Sequence, residues 1–246
     1  MEGCSIREAA LRLQGCHSDG SAHAAAAVTS GSAGKQPVTK ERGTNAPLGF
    51  SLGLDPVHPY LTRRGMDAAT IGHFGVGYYG RAGLMSGRIA IPIHDGDGRL
   101  VAYCGRAVDG ADPRYRFPAG FQKSQVLFNY HRVRAAGEGP VIVVEGFFDC
   151  MRVHQAGFPR VVALMGARLS RTQRDLLADG FSRVVLLLDG DATGHAATAH
   201  IVSDLTPTCS VTPLWLPPGV QPDQMPAGQL RQVLAGTERR HYIQTN

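Results

Sequence analysis

The C-terminal part of the chain alternates short apolar runs with stretches of helical spacing. The apolar runs are "PVIVV", "RVVALMG" and "RVVLLLDGD", and the helical stretch "SRTQRDLLADGF" lies between the last two. Continuous apolar runs that end in turn residues are typical of strands buried on both faces of a parallel sheet. The pattern therefore predicts βαβ units, and the tail predicts one more short strand, a proline-rich turn and a closing helix.

The patterns before residue 137 are different. Residues 5–14 have the spacing of a short amphipathic helix, whereas residues 17–47 are small, polar and aperiodic, as in a flexible linker. Residues 58–79 predict a short helix pair with glycine punctuation. In residues 88–108, two alternating apolar runs flank Asp-Gly-Asp-Gly, which predicts a β-hairpin with an acidic turn.

Composition narrows the class of protein. The chain has 246 residues, of which 43% are apolar, and this is enough to bury a core. No apolar run reaches the roughly 20 residues that span a bilayer, and the N-terminus lacks the apolar segment of a signal peptide. We therefore expect a cytoplasmic protein with no membrane partner. The five cysteines form no C-x-x-C pair, so we expect reduced thiols and no zinc.

The charge is distributed unevenly along the chain. The net charge is +5, and residues 56–136 carry eleven Arg and Lys against five Asp and Glu. Residues 137–220 carry six Arg and Lys against eight Asp and Glu. A basic region beside an acidic one suits a polyanion held next to a metal-binding cluster, although a solvated arginine-rich surface is the alternative on composition alone.

Acidic residues follow two of the predicted buried strands. Glu145 follows "VIVV", and Asp149 lies one helical turn beyond it. Asp189 and Asp191 flank Gly190 after "VVLLL". The carboxyl ends of parallel strands share one edge of a sheet, and residues two apart in an extended segment point the same way. These four carboxylates are therefore expected to lie close together.

Clustered carboxylates favour a divalent cation. Each ionised carboxylate raises the pKa of its neighbours, and a cation relieves that repulsion. An all-oxygen ligand set points to Mg²⁺ or Mn²⁺, which share their coordination with substrate phosphates. Either motif taken alone is explained as well by a structural helix cap. Both motifs together, on strand ends of one sheet, favour the metal site.

Eight segments of the chain resemble the catalytic core of the DnaG-type bacterial primases, which contains a TOPRIM domain. The TOPRIM domain is the metal-binding module that primases share with type IA and type II topoisomerases and several nucleases. In order, the segments are "YLTRRGM", "GRIAIPIHDGDGRLVAYCGRAV", "PRYRFP", "FQKSQVLFN", "VIVVEGFFDCMRVHQAGF", "ALMGARLS", "VVLLLDGDATGHAA" and "WLPPGVQPDQ".

The resemblance implies an α/β fold. It consists of a Rossmann-like TOPRIM domain, with a mostly parallel sheet flanked by helices, after a smaller basic α+β subdomain. The implied divisions are a remnant helix of a zinc-ribbon module (1–16), a flexible linker (17–47), the basic subdomain (48–136), the TOPRIM domain (137–220) and a C-terminal turn and helix (221–246).

The resemblance also assigns roles to individual residues. The catalytic residues would be Glu145, Asp189 and Asp191. The metal ligands would be Glu145, Asp149, Asp189, Asp191 and Asp223. The residues that bind template and nucleotide would be Arg64, Arg88, Arg106, Arg114, Tyr115 and Lys123.

The chain departs from the family pattern in three ways. The cysteines and histidine of the family's zinc ribbon are not present, and neither is its helicase-binding domain. Gln221 stands where the last acidic motif of the family has a first aspartate, so only Asp223 remains of that pair. These departures bear on template recognition and on one part of the metal site.

Two functions from different classes follow. The first is a primase-type nucleotidyltransferase, of a kind carried by mobile elements, that joins ribonucleoside triphosphates into primers on single-stranded DNA. Further candidate partners are a replicative helicase or a separate zinc-ribbon protein. The alternative is a catalytically weak or inactive accessory module that binds single-stranded DNA. A nuclease or topoisomerase ranks third, because the length leaves no room for the gate domains of a topoisomerase.

Overall fold

Two four-stranded sheets organise the part of the chain that the computed structural model describes, residues 44–238. These residues all belong to one compact unit. The helix predicted over residues 5–14, and with it Cys4 and Cys16, lies outside the described residues. So does nearly all of the predicted linker.

The N-terminal sheet is antiparallel, with strand order β1-β2-β3-β4. Its elements are α1 (Pro59–Arg63), α2 (Ala68–Phe74), β1 (Gly77–Tyr79), β2 (Arg88–His94), β3 (Leu100–Ala107) and β4 (Tyr115–Arg116). Strands β2 and β3 form the predicted hairpin, and α1 and α2 form the predicted helix pair. Asp95 Oδ1 accepts hydrogen bonds from the backbone N–H groups of Asp97 and Arg99, so the acidic turn stabilises itself.

The C-terminal sheet is parallel, with strand order β6-β5-β7-β8. A 3₁₀ turn (Lys123–Gln125) and α3 (Tyr130–Ala135) precede it. The following elements are β5 (Val141–Val144), α4 (Phe147–Gln155), β6 (Val161–Ala163), α5 (Arg171–Gly180), β7 (Arg183–Leu186), α6 (Ala192–Leu205), β8 (Ser210–Pro213), a 3₁₀ turn (Pro222–Gln224) and α7 (Ala227–Glu238). The predicted βαβ units, the final strand and the closing helix are confirmed.

Strand β5 is buried on both faces, which explains its continuous apolar run. Ile142 and Val144 pack into one core with residues of the N-terminal sheet such as Ile89. Val141 and Val143 pack into a second core on the opposite face. The two sheets therefore share hydrophobic packing, and this packing fixes the carboxyl edge of the parallel sheet against the N-terminal region.

The described residues also bear on membrane insertion and on the cysteines. Between residues 44 and 238, no helix has the length and the apolar character needed to cross a bilayer. Cys104, Cys150 and Cys209 are free and buried. Burial raises the pKa of the Cys150 thiol, which keeps it protonated at neutral pH.

Candidate metal and nucleic-acid site

The first acidic motif is built where β5 passes into α4. Glu145 directly follows the strand and is half-buried, and Gly146 is the N-cap of α4. The Gly146 N–H donates to Asp149 Oδ2 at 2.9 Å, which closes the first turn of the helix. A Cβ at residue 146 would lie 2.7 Å from that oxygen. Glycine therefore lets the Asp149 carboxylate fold back onto the N-terminus of α4.

The second acidic motif is built where β7 passes into α6. Asp191 is the N-cap of α6, and its Oδ1 accepts from the Gly194 N–H at 2.7 Å. Gly190 lies against the segment after β8, because its N–H donates to the Val220 carbonyl at 2.8 Å. A Cβ at residue 190 would collide with the Pro217 carbonyl oxygen. Only glycine fits at this close approach, which holds Asp189 at the edge of the sheet.

The carboxylates influence one another across the edge. Burial raises the pKa of Glu145 to about 7, and the charges of Asp189 and Asp191 add to the rise. Burial also raises the pKa of Asp189 to about 6, with further contributions from Asp191 and Asp223. The structure thus brings Glu145, Asp189 and Asp191 from two neighbouring strands into one electrostatic group.

Asp149 and Asp223 form a buried link between α4 and the last 3₁₀ turn. The Asp223 N–H donates to Asp149 Oδ1 at 2.9 Å, so both oxygens of Asp149 accept backbone hydrogen bonds. Burial raises the pKa of Asp149 to about 7, and the charges of Asp223 and Asp189 act in the same direction. The Asp223 carboxylate forms an ion pair with Arg64. Asp149 therefore has a structural role in addition to its predicted role as a ligand.

The donor chemistry of this edge fits a hard divalent cation. Asp189 Oδ1 and Asp223 Oδ1 are buried without a hydrogen-bond partner, which is costly for an ionised carboxylate. Carboxylate oxygens are the preferred ligands of Mg²⁺ and Mn²⁺. Among residues 44–238, no three His, Cys, Asp or Glu side chains already converge as a ligand set. Glu145, Asp189 and Asp191 are the residues that would hold the ion.

Arg106 is a buried cation that strand β3 of the N-terminal sheet contributes. It is 7% exposed, and its Nε and Nη1 have no hydrogen-bond partner. Its guanidinium lies over the Tyr115 ring at 4.8 Å and over the Phe148 ring at 5.8 Å. A buried guanidinium with free donors and no paired carboxylate is suited to receive an anion such as a phosphate.

Three other predicted binding residues lie in the same N-terminal region. Arg114 and Lys123 are exposed, and Lys123 Nζ donates to the Met165 carbonyl at 3.2 Å. Burial raises the pKa of Tyr115 to about 12, so its phenol stays protonated. The positive charge of Lys123 acts on the acidic edge, since it opposes the rise in the pKa of Glu145 that burial causes.

Arg88 and Arg64 are held by contacts within the protein. Arg88 is buried in β2, and its Nη1 donates to the Pro113 carbonyl at 2.8 Å. This contact positions the segment that leads to β4. Arg64 lies over the Phe148 ring at 4.8 Å while it pairs with Asp223. The predicted contacts of both residues with nucleic acid stay predictions.

Two contacts of the site were not foreseen. Arg64 and Asp223 are separated by 159 residues, and Gln221 Nε2 donates to Asp189 Oδ2 at 2.8 Å across 32 residues. Local patterning carries no signal for such pairs. The replacement of an aspartate by Gln221 pointed to an altered site, but the partner of the amide follows only from the folded chain.

One family model matches the acidic edge. Residues 139–214 match the model described as the Toprim domain, and they include Glu145, Asp149, Asp189 and Asp191. The parallel sheet and its carboxylates agree with that match. Residues 139–214 therefore form a Toprim domain.

The similarity to DNA primases extends beyond the Toprim domain. The chain is 30% identical to a Staphylococcus aureus DNA primase over 201 residues, which cover 75% of this chain and 32% of the relative. It is 37% identical to a Synechococcus elongatus DNA primase over 138 residues, which cover 53% of this chain and 20% of the relative. The chain thus spans a third or less of these relatives, and what it carries is a DnaG-type primase core.

Solved structures agree with this assignment. The zinc-binding and RNA polymerase domains of the Aquifex aeolicus primase match with a TM-score of 0.66 and 26% identity, covering 73% of this chain and 55% of that one. The RNA polymerase domain of Mycobacterium tuberculosis DnaG matches with a TM-score of 0.60 and 25% identity, covering 73% and 75%. A DnaG catalytic domain bound to single-stranded DNA shares the fold, with a TM-score of 0.64 and 21% identity, covering 74% and 72%.

Proposed function

We propose that this core joins ribonucleoside triphosphates into short primers on single-stranded DNA, with Mg²⁺ or Mn²⁺. The observation that carries the proposal is the electrostatic interaction between carboxylates at the end of the parallel sheet and cationic side chains of the N-terminal region. Burial raises the pKa of Glu145 and of Asp189, and the charges of Lys123 and Arg114 oppose that rise. Cationic side chains of the N-terminal region therefore lie within electrostatic range of the carboxylates, as phosphoryl transfer requires.

The residues divide the work according to their surroundings. A bound divalent cation would neutralise the carboxylates and shield the phosphates. Glu145 is half-buried at the end of β5, where it would hold the cation or accept a proton from an attacking hydroxyl. Arg106 offers free, desolvated donors to a phosphate, and the exposed Arg114 and Lys123 offer charge to a nucleic-acid backbone.

A primer-synthesis assay tests this proposal. Initial rates of ribonucleotide incorporation on single-stranded DNA would be compared for wild type and Glu145→Gln, which keeps the shape of the side chain and removes its charge. The matched control is Glu138→Gln, at an exposed position. We expect at least a hundredfold loss for Glu145→Gln and less than a twofold change for the control. Equal rates for wild type and Glu145→Gln would reject the proposal.

A second function is favoured by one observation. Gln221 and Arg64 already satisfy oxygens of Asp189 and Asp223, which leaves fewer carboxylate oxygens for metal. An accessory module would bind single-stranded DNA in EDTA and incorporate nothing. Fluorescence anisotropy with labelled DNA, run beside the incorporation assay with and without a zinc-ribbon protein, separates the two functions.

The same proposal implies where the protein acts and where its two domains divide. A core that copies chromosomal or mobile-element DNA would act in the cytoplasm, where its template lies. The division between the basic subdomain and the Toprim domain would fall near residue 136, between α3 and β5.

A further inference from the structure

Trp215 is a large aromatic residue that the fold leaves in solvent just after β8. It is 54% exposed, and it is the single tryptophan of the chain. Tryptophan is highly buried on average in folded proteins. Among residues 44–238, the other large hydrophobic residues with comparable exposure are Phe50, Val57 and Leu84, and all three belong to the N-terminal region. Trp215 is therefore the member of this set that lies at the end of the parallel sheet.

Strand pairing places Trp215 beside the second acidic motif. In the parallel pair of β7 and β8, Leu186 lies opposite Pro213. Trp215 follows Pro213 by two residues, so it lies level with the residue that precedes Asp189. The exposed indole and the carboxylates therefore belong to the same edge of the sheet.

Contacts with α6 hold the indole in place. His195 lies one turn into α6, after the N-cap Asp191, and its Nε2–H donates to the Leu216 carbonyl at 3.1 Å. The rings of His195 and Trp215 are nearly perpendicular, at 85°, with centroids 5.3 Å apart. Leu216 is buried, and the two prolines that follow it restrict the backbone. The position of the indole is thus set before any ligand arrives.

A fixed and exposed aromatic ring is a platform for an unpaired nucleobase. Every base has a π-face, so stacking on an indole requires no particular sequence. Arg114 is exposed, and it opposes the rise in the pKa of Asp189 that burial causes, so its positive charge acts on the same edge. A nucleic acid whose phosphates Arg114 attracts would therefore bring its bases to the edge where Trp215 lies.

Resting on the function proposed above, we propose that Trp215 stacks on an unpaired nucleobase beside the acidic edge and so positions the nucleic acid there. The single-stranded DNA and a ribonucleoside triphosphate both carry such a base. Trp215 is then a binding residue that neither acidic motif nor the basic region of the sequence contains.

The emission of the single tryptophan tests stacking in the wild-type protein. It would be excited where tyrosine does not absorb, and corrected for absorption by the bases, during separate titrations with three ligands in Mg²⁺. The ligands are a single-stranded DNA oligonucleotide, an abasic strand of the same length and ATP. No titration combines a strand with nucleotides, so no incorporation takes place. We expect a ligand with bases to quench the emission and the abasic strand, which has the same phosphates, to leave it unchanged.

The two ligands with bases identify the source of the stacked base. Quenching by the oligonucleotide assigns the position to a base of the strand. Quenching by ATP alone assigns it to the nucleotide.

Variants separate stacking from simple apolar contact. Calorimetric titration with the ligand that quenches should show that Trp215→Ala and Trp215→Leu bind it at least about fivefold more weakly than wild type. Trp215→Phe keeps an aromatic face and should stay within about twofold. Phe50→Ala is the matched control, because it removes an exposed aromatic ring from the N-terminal region and should bind as wild type does.

Each contrary result bears on the inference alone. Equal quenching by the abasic strand, no quenching by the oligonucleotide or by ATP, or wild-type affinity in Trp215→Leu would each overturn it. Failure of the proposed function would instead appear as no incorporation while the quenching and the weaker binding of the Trp215 variants persist.

Discussion

The chain contains the tripeptide Asp-Gly-Asp twice, and the pKa of its first aspartate is shifted in opposite directions in the two copies. Asp95 and Asp97 lie in an exposed hairpin turn, where Arg99 pairs with both. Burial acts to raise the pKa of Asp95, but hydrogen bonds from Arg99 outweigh it and hold that pKa below its usual value. Asp189 lies between a buried strand and a helix, and burial raises its pKa to about 6.

The difference shows that flanking structure, and not the motif, determines the chemistry. In the hairpin, the backbone and Arg99 satisfy the carboxylates, so the turn stabilises itself. At the edge of the parallel sheet, Asp189 lies among other acidic residues, and its Oδ1 is buried without a hydrogen-bond partner. The carboxylates of the hairpin copy stabilise its turn, whereas Asp189 in the other copy has an oxygen that is available to a ligand.

The glycines of the two copies should give the largest contrast in stability. A Cβ at residue 190 would collide with the Pro217 carbonyl, whereas a Cβ at residue 96 meets only the Tyr130 ring at 3.7 Å. We expect Gly190→Ala to lower the free energy of unfolding by about 2–3 kcal/mol, and Gly96→Ala to change it by less than about 0.5 kcal/mol. Urea denaturation measures both. Equal effects would mean that the segment after β8 does not pack on Gly190.

The arginines that pair with the acids should give a smaller contrast. Arg64 and Asp223 have side chains that are 24% and 7% exposed, whereas Arg99 is 59% exposed. Removing Arg64 leaves a buried carboxylate unpaired. We expect Arg64→Met to cost about 1–2 kcal/mol and Arg99→Met to have a clearly smaller effect. Thermal unfolding at neutral pH in EDTA checks this, and a cost for Arg99→Met equal to that for Arg64→Met would contradict it.

The pH dependence of stability should have opposite signs at the two copies. Asp189 has a raised pKa, so its contribution to stability is present below the unfolded pKa and is lost as the pH rises through about 6. Asp95 has a lowered pKa, so its contribution is present above the unfolded pKa and is lost as the pH falls.

Unfolding curves from about pH 2 to pH 8 in EDTA check these signs. Asp189→Asn should flatten the loss of stability between pH 4 and pH 7. Asp95→Asn should lower stability at neutral pH and flatten the loss on acidification instead. The same slope change in both variants would show that the two turns do not differ as described.

The sequence predicted the parts of the site that depend on local pattern. The strands that place Glu145 and Asp189 follow from continuous apolar runs, because a strand buried on both faces leaves no polar position. The shared edge follows from parallel pairing. The helix cap that was the structural alternative for each acidic motif is present at Asp191, the N-cap of α6.

The remaining parts depend on long-range packing, and the sequence could not predict them. The contacts of Gln221 with Asp189 and of Arg64 with Asp223 arise only when the last 3₁₀ turn folds back onto α4 and β7. Strand β2 is buried from Arg88 to Ile93, although its apolar residues alternate along the sequence. Both faces of that strand are covered, so Arg88 donates to backbone carbonyls within the protein.

Mn²⁺ affinity, compared between the two copies, tests the central claim most directly. The claim is that carboxylates from two neighbouring strand ends form one cation site, whereas the hairpin turn forms none. Titration calorimetry should show that Asp189→Asn binds Mn²⁺ at least tenfold more weakly than wild type, and that Asp97→Asn binds it equally well. Unchanged affinity in Asp189→Asn, or an equal loss in Asp97→Asn, would contradict the account.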